Sequence, residues 1–387
     1  MSADAEVIVV GGGLAGTAAA VSLARAGLRT LHLAPPAPPD RRTSALMLPS
    51  VAFLERTGLI DDPAALGHAL TGIRIIDATR RLIRAPETFF DAAEAGLSAF
   101  GWNFANAPLL ERFRAASPAR GLETRDATVT AYRRSGGLGE VTTGDGTILR
   151  APLVVGADGK TSLIRTAAGI GVRERRFTEA ALVCDLELAR AIGGTSVEFH
   201  YPHGPFTLVP AGGKRANLVW IDEPSVLQAA QADGPERLLA DLRQQSQHLF
   251  GAIALASPSV VFPLSTLAVE AAGRDGVALV GESAHAFPPI GAQGLNLGLR
   301  DVADLLAALE ASDRTRPDWG DAVSRDYAAR RAGDLARTGG MVDALFRSLL
   351  AEFLPGQALR AGGLWALRSS RALRRQAFSL GMGRRRA

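Results

Sequence analysis

The residues best suited to chemistry lie in one glycine-rich stretch, from Gly281 to Asp301. It follows a short apolar run at 277–280, which predicts a strand, and the apolar spacing from Leu295 onward predicts a helix. Glycine lets the backbone approach a flat ligand where a side chain would collide. A helix starting near Leu295 directs free N–H groups and its positive dipole end at that ligand. An electron-rich ring would suit this position.

A second glycine loop lies near the start of the sequence and has the pattern of a nucleotide cradle. Gly11, Gly13 and Gly16 stand between a predicted strand at 6–10 and an alanine-rich helical stretch at 17–26. In this arrangement the first glycine makes the turn, the second admits a pyrophosphate and the third lets helix and strand pack closely. The spacing therefore predicts a dinucleotide site.

The acidic residue that usually holds the ribose of such a nucleotide is missing. It is expected at the end of the second strand, predicted here at 29–34, and Ala34 occupies that place. Asp40 could reach back to the ribose, or backbone and water could hold it. We expect weaker retention of the nucleotide as a result.

The glycine-rich stretch carries a resemblance to a known family. Gly281 and Glu282, Ala284 and His285, Pro289 and the run 291–296 resemble the second FAD signature of class A flavin monooxygenases. Within that group they are most similar to the hydroxylases of ubiquinone biosynthesis. This chain departs from the family where it has Glu282 in place of Asp and Ala292 in place of Gly.

Three more segments resemble the same family and occur in the family's order. The run 40–46 matches its DxRxxAL pattern, 106–109 its N-x-x-L helix start, and 154–162 its DG motif. The resemblance places Arg42 near the flavin and pyrophosphate, where a guanidinium can pair with phosphate oxygens. Asn106 would also suit a helix N-cap, so both roles stay open for it.

The resemblance implies FAD as the bound cofactor and NADPH or NADH as a transient reductant. The residues it implies at the cofactor are Gly11, Gly13, Gly16, Arg42, Asn106, Asp158, Gly159, Glu282, Ala292, Gly294, Leu295 and Asn296. No general base can be named. The candidates lie in the loop at 281–294, here called the flavin loop, and are Pro289, Gly291 and Gln293. His285 is better explained as structural than as catalytic, and no His, Asp or Glu spacing indicates a metal site.

The fold implied is α/β, with a doubly wound, Rossmann-like FAD-binding domain of the glutathione reductase type. An antiparallel sheet domain is inserted into it, and helices follow at the C-terminus. The expected FAD-binding segments are 1–70, 100–178 and 268–340, the substrate-binding sheet takes 71–99 and 179–267, and 341–387 forms basic amphipathic helices.

Short strands are predicted between Ala180 and Pro263, with Gly212 and Gly213 marking a hairpin. In the family, such a sheet forms one wall of the substrate cavity. Candidates to line that cavity are Tyr201, Phe206, Leu208 and Trp220. Plain packing is an alternative for each, because aromatic and aliphatic residues favour strands anyway.

Composition narrows the protein class. Hydrophobic residues make up 47% of the 387 residues and charged residues 21%, which is ordinary for an enzyme. One cysteine, Cys184, rules out an intrachain disulfide and fits a reducing cytoplasm. No run approaches the roughly 20 apolar residues of a membrane span, and no signal peptide is recognised.

The positive charge is concentrated at the C-terminus. The stretch 356–387 holds eight Arg and no Asp or Glu, which leaves the rest with 35 basic and 39 acidic residues. Such a segment could contact the inner face of a membrane or a quinone-biosynthesis complex, while nucleic acid is not expected.

The function implied by the resemblance is hydroxylation of a polyprenylated phenol or methoxyphenol in ubiquinone biosynthesis. NAD(P)H and O2 would act through a C4a-hydroperoxyflavin. Two alternatives stay open. One is another class A flavoenzyme, a prenyl reductase or a halogenase, and the other is a catalytically silent FAD-binding scaffold.

Overall fold

The computed structural model describes residues 2–79, 84–118, 120–289, 291–350, 362–363 and 365–381. Its strands are β1 (Val7–Val10), β2 (Thr30–Leu33), β3 (Thr43–Met47), β4 (Gly67–Leu70), β5 (Gly72–Asp77), β6 (Thr88–Asp91), β7 (Gly101–Ala105), β8 (Leu122–Arg125), β9 (Val129–Ser135), β10 (Leu138–Thr143), β11 (Ile148–Ala151), β12 (Leu153–Gly156), β13 (Val172–Leu188), β14 (Thr195–Tyr201), β15 (Gly204–Pro210), β16 (Arg215–Asp222), β17 (Ile253–Leu255), β18 (Val260–Val269), β19 (Gly273–Arg274), β20 (Val277–Leu279) and β21 (His285–Ala286).

The helices are α1 (Leu14–Arg25), α2 (Leu48–Arg56), α3 (Asn106–Ala115), α4 (Leu163–Ala167), α5 (Pro224–Ala232), α6 (Pro235–Gln245), α7 (Gln293–Glu310), α8 (Trp319–Leu350) and α9 (Arg371–Gly381). Short 3-10 turns cover Pro63–Ala65, Ala92–Ala95 and Gly281–Ser283.

A mostly parallel sheet of six strands forms the first layer, in the order β19-β20-β12-β1-β2-β8. Only the β19 and β20 pair is antiparallel. Strands β1, β2 and β12 are buried along their whole length, which agrees with the continuous apolar sequences of β1 and β12. Residues from α1, α3, α7 and α8 share one apolar core with these strands. The predicted parallel-sheet fold is confirmed.

A larger sheet of nine strands forms the second layer, in the order β21-β18-β13-β16-β15-β14-β5-β6, with β17 beside β13. Its neighbours pair antiparallel except β14 and β5. Gly212 and Gly213, with φ of 90° and 56°, make the turn of the predicted β15–β16 hairpin. The large antiparallel sheet is confirmed.

The stretch between β16 and β17 is helical, whereas the sequence was expected to continue as strands. Helices α5 and α6 each begin with proline at their first turn, where its missing N–H is no loss. Leu238 and Leu242 of α6 are buried, and this spacing of four is typical of a helix face. Proline followed by that spacing was the available signal.

Two smaller sheets complete the fold. Strands β3, β7 and β4 form one, and β9, β10 and β11 form the other. The C-terminal helix α9 lies against the turn Ala92–Ala95, where Arg374 donates to both carboxylate oxygens of Glu94 at 2.6 and 2.7 Å. Among the described residues, no helix has the length and apolarity needed to cross a membrane.

Candidate active site

The first glycine loop is shaped by close backbone contacts. A Cβ on Gly11, whose φ is +124°, would lie 2.1 Å from the carbonyl oxygen of Ala157, and one on Gly16 would lie 2.1 Å from that of Gly11. Neither position has room for a side chain. A Cβ on Gly13, in contrast, would meet no atom within 4 Å. The loop therefore presents free space at the one glycine predicted to face a pyrophosphate.

A buried histidine on β2 forms a hydrogen bond with the backbone of this loop. The ring Nε2 of His32 donates to the carbonyl oxygen of Gly11 at 3.0 Å. Burial lowers the pKa of His32, and it outweighs the opposing effect of this hydrogen bond. The folded state thus favours the neutral ring.

The carboxylate of Asp40 is held by Arg42 and Asn106. Its Oδ1 accepts from Arg42 Nε at 2.9 Å, and its Oδ2 accepts from Arg42 Nη2 and from Asn106 Nδ2, each at 2.9 Å. Burial would raise the pKa of Asp40, but these hydrogen bonds outweigh it and hold the pKa below its usual value. Ala34 lies instead beside the first glycine loop, 3.0 Å from where a Cβ on Gly12 would be.

Arg42 connects two of the sequence motifs. Besides its pair with Asp40, its Nη1 lies 4.0 Å from Oε1 of Glu282. Both side chains are more than half exposed, so a phosphate could replace the carboxylate at the guanidinium. The hydrogen bonds that Arg42 donates to Asp40 raise the pKa of Arg42 and keep the guanidinium charged.

Asn106 is not a helix N-cap. It is the first residue of α3, its neighbour Ala105 takes the cap position, and no side chain caps the helix. The Asn106 side chain instead donates to Asp40 and accepts from Ser44 Oγ at 2.7 Å. Its position beside the Asp40 and Arg42 pair keeps the cofactor role open and removes the capping alternative.

Asp158 shapes the turn of the DG motif. Its carboxylate accepts from Ser162 Oγ and from the Ile164 backbone N–H, and Ser162 caps α4 through the Arg165 N–H at 3.0 Å. The buried Arg165 donates to the carbonyl oxygen of Ser283 at 2.9 Å. The DG motif and the flavin loop are therefore joined directly, while Gly159 has the φ of +85° that glycine tolerates.

The flavin loop reaches α7 through a strained residue. Ala292 has φ 53° and ψ 34°, the left-handed region, at the N-cap of α7. The family's usual glycine would adopt this conformation without strain. A Cβ on Gly294, in the first turn of α7, would meet no atom within 4 Å. The helix start thus has open space above it, as the ring position requires.

The remaining loop candidates differ in their exposure and contacts. Pro289 is exposed, and Gln293 is buried and donates to the carbonyl oxygen of Gly291 at 3.0 Å. Asn296 donates to the carbonyl oxygen of Ala45 at 2.8 Å and accepts from the Met47 N–H at 2.9 Å. Its side chain therefore connects β3 to α7, here called the flavin helix.

A buried charge network beneath the flavin loop was not predicted from the sequence. His285 Nε2 lies 2.6 Å from Asp301 Oδ2, and Arg331 Nε lies 2.7 Å from Asp301 Oδ1. All three side chains are at most 2% exposed. His285 is therefore structural in its contacts, as expected, but its partners come from α7 and α8 rather than from loop carbonyls. No motif contains Arg331.

The residues predicted to line the substrate cavity lie on the face of the large sheet that packs against α5 and α6. Phe206, Leu208 and Trp220 are at most 2% exposed, in a core shared with α5 and α6. The hydroxyl of Tyr201 donates to the Gln245 carbonyl oxygen at the end of α6. All four are packing residues here, because strand alternation turns them away from β3 and β7.

The opposite face of that sheet meets the small sheet of β3, β7 and β4. Asn217, paired with Val209, accepts from Asn103 Nδ2 of β7 at 2.7 Å. Around Val209 lies an apolar layer, formed by Ala45, Met47, Leu70, Ile73, Ile75, Phe90, Ala92, Leu97, Phe100, Val209 and Leu367. Ala45 and Met47 belong to the strand that Asn296 fastens, so the apolar layer begins at the flavin helix.

An open cleft of about 360 Å³ lies between the start of α3 and the large sheet. It is lined by Asp40, Arg41, Ala105, Ala107, Pro108, Asp185, Ala256, Ser257 and Pro258. It adjoins the Asp40 and Arg42 pair, so a small planar molecule could approach the loops there.

These features fit FAD: free space at Gly13 and Gly294, an exposed guanidinium between two motifs, and two loops locked together. The family profile described as "FAD binding domain" matches residues 4–320. The chain is a class A FAD-dependent monooxygenase. It belongs to the FAD-binding family over most of its length, and ubiquinone hydroxylases are among its relatives.

Two curated relatives of this monooxygenase match it over nearly full length. "Ubiquinone hydroxylase UbiL" of Rhodospirillum rubrum is 32% identical over 99% of this chain and 91% of the relative. "3-demethoxyubiquinol 3-hydroxylase" of Escherichia coli is 29% identical over 98% of each chain.

A solved structure shares the monooxygenase fold. It is p-nitrophenol 4-monooxygenase PnpA from Pseudomonas putida, with a TM-score of 0.80 at 21% identity and full coverage of both chains. At that identity the likeness speaks for the fold alone.

Proposed function

We propose that this monooxygenase hydroxylates the ring of a polyprenylated phenol or methoxyphenol on the way to ubiquinone, using NAD(P)H and O2. The observation that carries the proposal is the apolar layer, which begins at Ala45 and Met47 beside the flavin helix and continues along the large sheet. An aromatic ring with an apolar chain needs such a surface. The names of the two full-length relatives point to the same substrate class.

Bound FAD would supply the redox chemistry by which O2 is activated and one oxygen atom reaches the ring. The protein's own residues would bind and orient it. Gly13 leaves space for the pyrophosphate, and Arg42 offers a guanidinium to its oxygens. The start of α7 at Gly294 directs N–H groups and positive dipole charge at the ring, which favours a reduced, anionic flavin.

Residues on the sheet face toward β3 would form the substrate wall. Val209, Val219 and Ile221 lie on that face, because they alternate with the packed Leu208 and Trp220. Excluding water from this face would protect activated oxygen from wasteful decay. We propose the cleft beside Arg41 as the approach for the nicotinamide, with NADH or NADPH as the transient reductant.

We also propose that the protein works in the cytoplasm, at the inner membrane face or in a quinone-biosynthesis complex. Trp365 is 64% exposed and Leu373 43% exposed, beside the exposed Arg375. Exposed aromatic and aliphatic side chains among arginines suit an anionic lipid surface. Co-sedimentation with anionic but not zwitterionic vesicles, lost in Trp365→Ala, would support this. Equal amounts of protein left in the supernatant with anionic and with zwitterionic vesicles would count against it.

The experiment that tests the proposed function uses purified, FAD-loaded protein. NAD(P)H oxidation is followed under ¹⁸O2 with a prenylated phenol and, as the control, with a prenyl compound of the same length that lacks the aromatic ring. We expect oxidation to rise only with the phenol, and the product to carry one ¹⁸O atom. If the phenol binds without stimulating oxidation or gaining oxygen, the scaffold alternative replaces the hydroxylase. The exposed Glu282, strained Ala292 and missing acid at Ala34 are the features that favour that alternative.

A further inference from the structure

A group of buried charges joins α7 and α8 beneath the flavin loop. Arg331 of α8 is 1% exposed. Its Nη1 donates to Asp304 at 2.9 Å and to Asp334 at 2.8 Å, while its Nε lies 2.7 Å from Asp301. Asp334 also accepts from Arg300 at 2.9 Å. Arg331 is therefore paired both across the two helices, with Asp301 and Asp304, and within α8, with Asp334.

Asp301 connects these buried charges to the flavin loop. Its Oδ2 accepts from the backbone N–H of Gly281 at 2.8 Å and lies 2.6 Å from His285 Nε2. The carboxylate therefore holds the loop at two points, four residues apart. Both groups hold the loop in its first half, before the prolines.

Helix α8 also holds the strand that leads into the loop. Tyr327, which is fully buried, donates its hydroxyl to the carbonyl oxygen of Leu279 at 2.6 Å. Ser324 accepts from the Gly276 N–H at 3.0 Å at the other end of β20. Together with Arg331, these contacts place β20 and Gly281 relative to α8.

Stability alone is a weak reason to bury such charges. Replacing a buried ion pair by apolar side chains of similar volume is often neutral or stabilising. The contact between Arg331 Nε and Asp301 Oδ1 is close but is not aligned as a hydrogen bond. Its effect is charge on charge. Burial would raise the pKa of Asp301, but His285 and Arg331 outweigh it and lower the pKa, so the carboxylate stays ionised and able to accept from Gly281.

We propose that Arg331 is a positioning residue for the flavin loop, acting through Asp301 on the Gly281 backbone and His285. Arg331 does not touch the cofactor; it sets where the loop and the start of α7 stand. The inference depends on FAD binding and not on which phenol is oxidised. Its failure is therefore separable from failure of the proposed substrate.

The test compares two neighbouring arginines of α8. Arg330 pairs with Asp326 at the surface, both partly exposed, so Arg330→Met is the matched control for Arg331→Met. We expect Arg331→Met to weaken FAD binding on the order of tenfold and to shift the flavin midpoint potential, since small misplacements at a site have large effects. Arg330→Met should change FAD affinity less than about twofold, because exposed pairs contribute little.

A double variant separates positioning from simple stabilisation. Arg331→Met with Asp301→Asn removes both charges of the Arg331–Asp301 pair, while Asp304 and Asp334 remain, so thermal stability of the apoprotein should recover in part relative to Arg331→Met. The carboxylate that holds Gly281 is still lost, so FAD affinity and midpoint potential should stay altered. Full recovery of FAD affinity in the double variant overturns the proposal. So does wild-type FAD affinity in Arg331→Met, or in Arg331→Lys if the Met variant does not fold.

Discussion

The two glycine loops of the cofactor site are held by opposite means. The loop at Gly11 to Gly16 is fixed by contacts between backbones, with 2.1 Å separating a would-be Cβ from a carbonyl oxygen at either glycine. The loop after Gly281 is held by buried charge, through Asp301 and Arg331. The first loop depends on close packing against the Ala157 backbone, and the second depends on a charged side chain from another helix.

This difference separates what each loop tolerates. A loop held by close backbone contact fails when volume is added, and one held by charge fails when a charge is left unpaired. A cofactor bound across both loops would therefore depend on each kind of support. Arg42 lies 4.0 Å from Glu282 and connects the second loop to the motif at 40–46.

The largest effect is expected from leaving a buried charge without its partner. Asp301→Ala removes the carboxylate beside Arg331 and should destabilise the fold by about 3–5 kcal/mol. Asp326→Ala is the control, since its pair with Arg330 is partly exposed, and should change stability by less than about 1 kcal/mol. Urea denaturation measures both. Similar losses in the two variants would mean that the Asp301 charge is not isolated from solvent.

Adding one methyl group at Gly13 or at Gly16 should separate the effect on FAD binding from the effect on stability. Gly16→Ala forces a Cβ against Gly11 and should destabilise by about 2–3 kcal/mol. Gly13→Ala adds its methyl to free space, so stability should change by only about 0.5 kcal/mol while FAD affinity falls. Denaturation of apoprotein and FAD titration check this. Unchanged FAD affinity in Gly13→Ala would place the pyrophosphate elsewhere.

Relieving strain in the second loop should have a smaller effect of opposite sign. Ala292→Gly removes a left-handed alanine and should stabilise by about 0.5–1 kcal/mol. Ala311→Gly at the other end of α7 has φ −80° and no strain to relieve, so it should be neutral or destabilising. Thermal unfolding of both variants measures the difference. A destabilised Ala292→Gly contradicts the strain.

The smallest effect concerns pH and the first loop. Burial lowers the pKa of His32 below its model-peptide value of 6.5. The unfolded chain therefore binds a proton first as pH falls below about 6.5, so stability declines there and is fully present above it. His32→Gln keeps a donor for Gly11 but cannot titrate. Denaturation at pH 7.5 and 5.5 should show a shallower decline in the variant, and an identical decline would exclude His32.

The features set by local geometry were predictable from the sequence. The glycine spacing indicated the first loop, and apolar runs indicated β1, β12 and the sheet strands. The residue at 292 was flagged as a departure, and its left-handed φ explains why glycine is usual there. The match of 40–46 and 291–296 to family motifs identified the class.

Long-range placement was not predictable. Arg331 lies outside every motif, and its pairing with Asp301 depends on how α8 packs on α7. Phe206 and Trp220 were predicted as candidates to line the substrate cavity, and they pack under α5 and α6, helices that were not predicted from the sequence. A period of two identifies alternation but cannot say which set meets the cofactor.

The most direct test of the account is mass spectrometry of quinone lipids from cells lacking this protein, complemented with wild type or Gly13→Trp. The tryptophan fills the space left at Gly13 and should block FAD. We predict that a prenylated precursor lacking one ring oxygen accumulates and that only wild type clears it. If Gly13→Trp restores ubiquinone as well as wild type, the cell does not need flavin chemistry from this chain, and the account is contradicted.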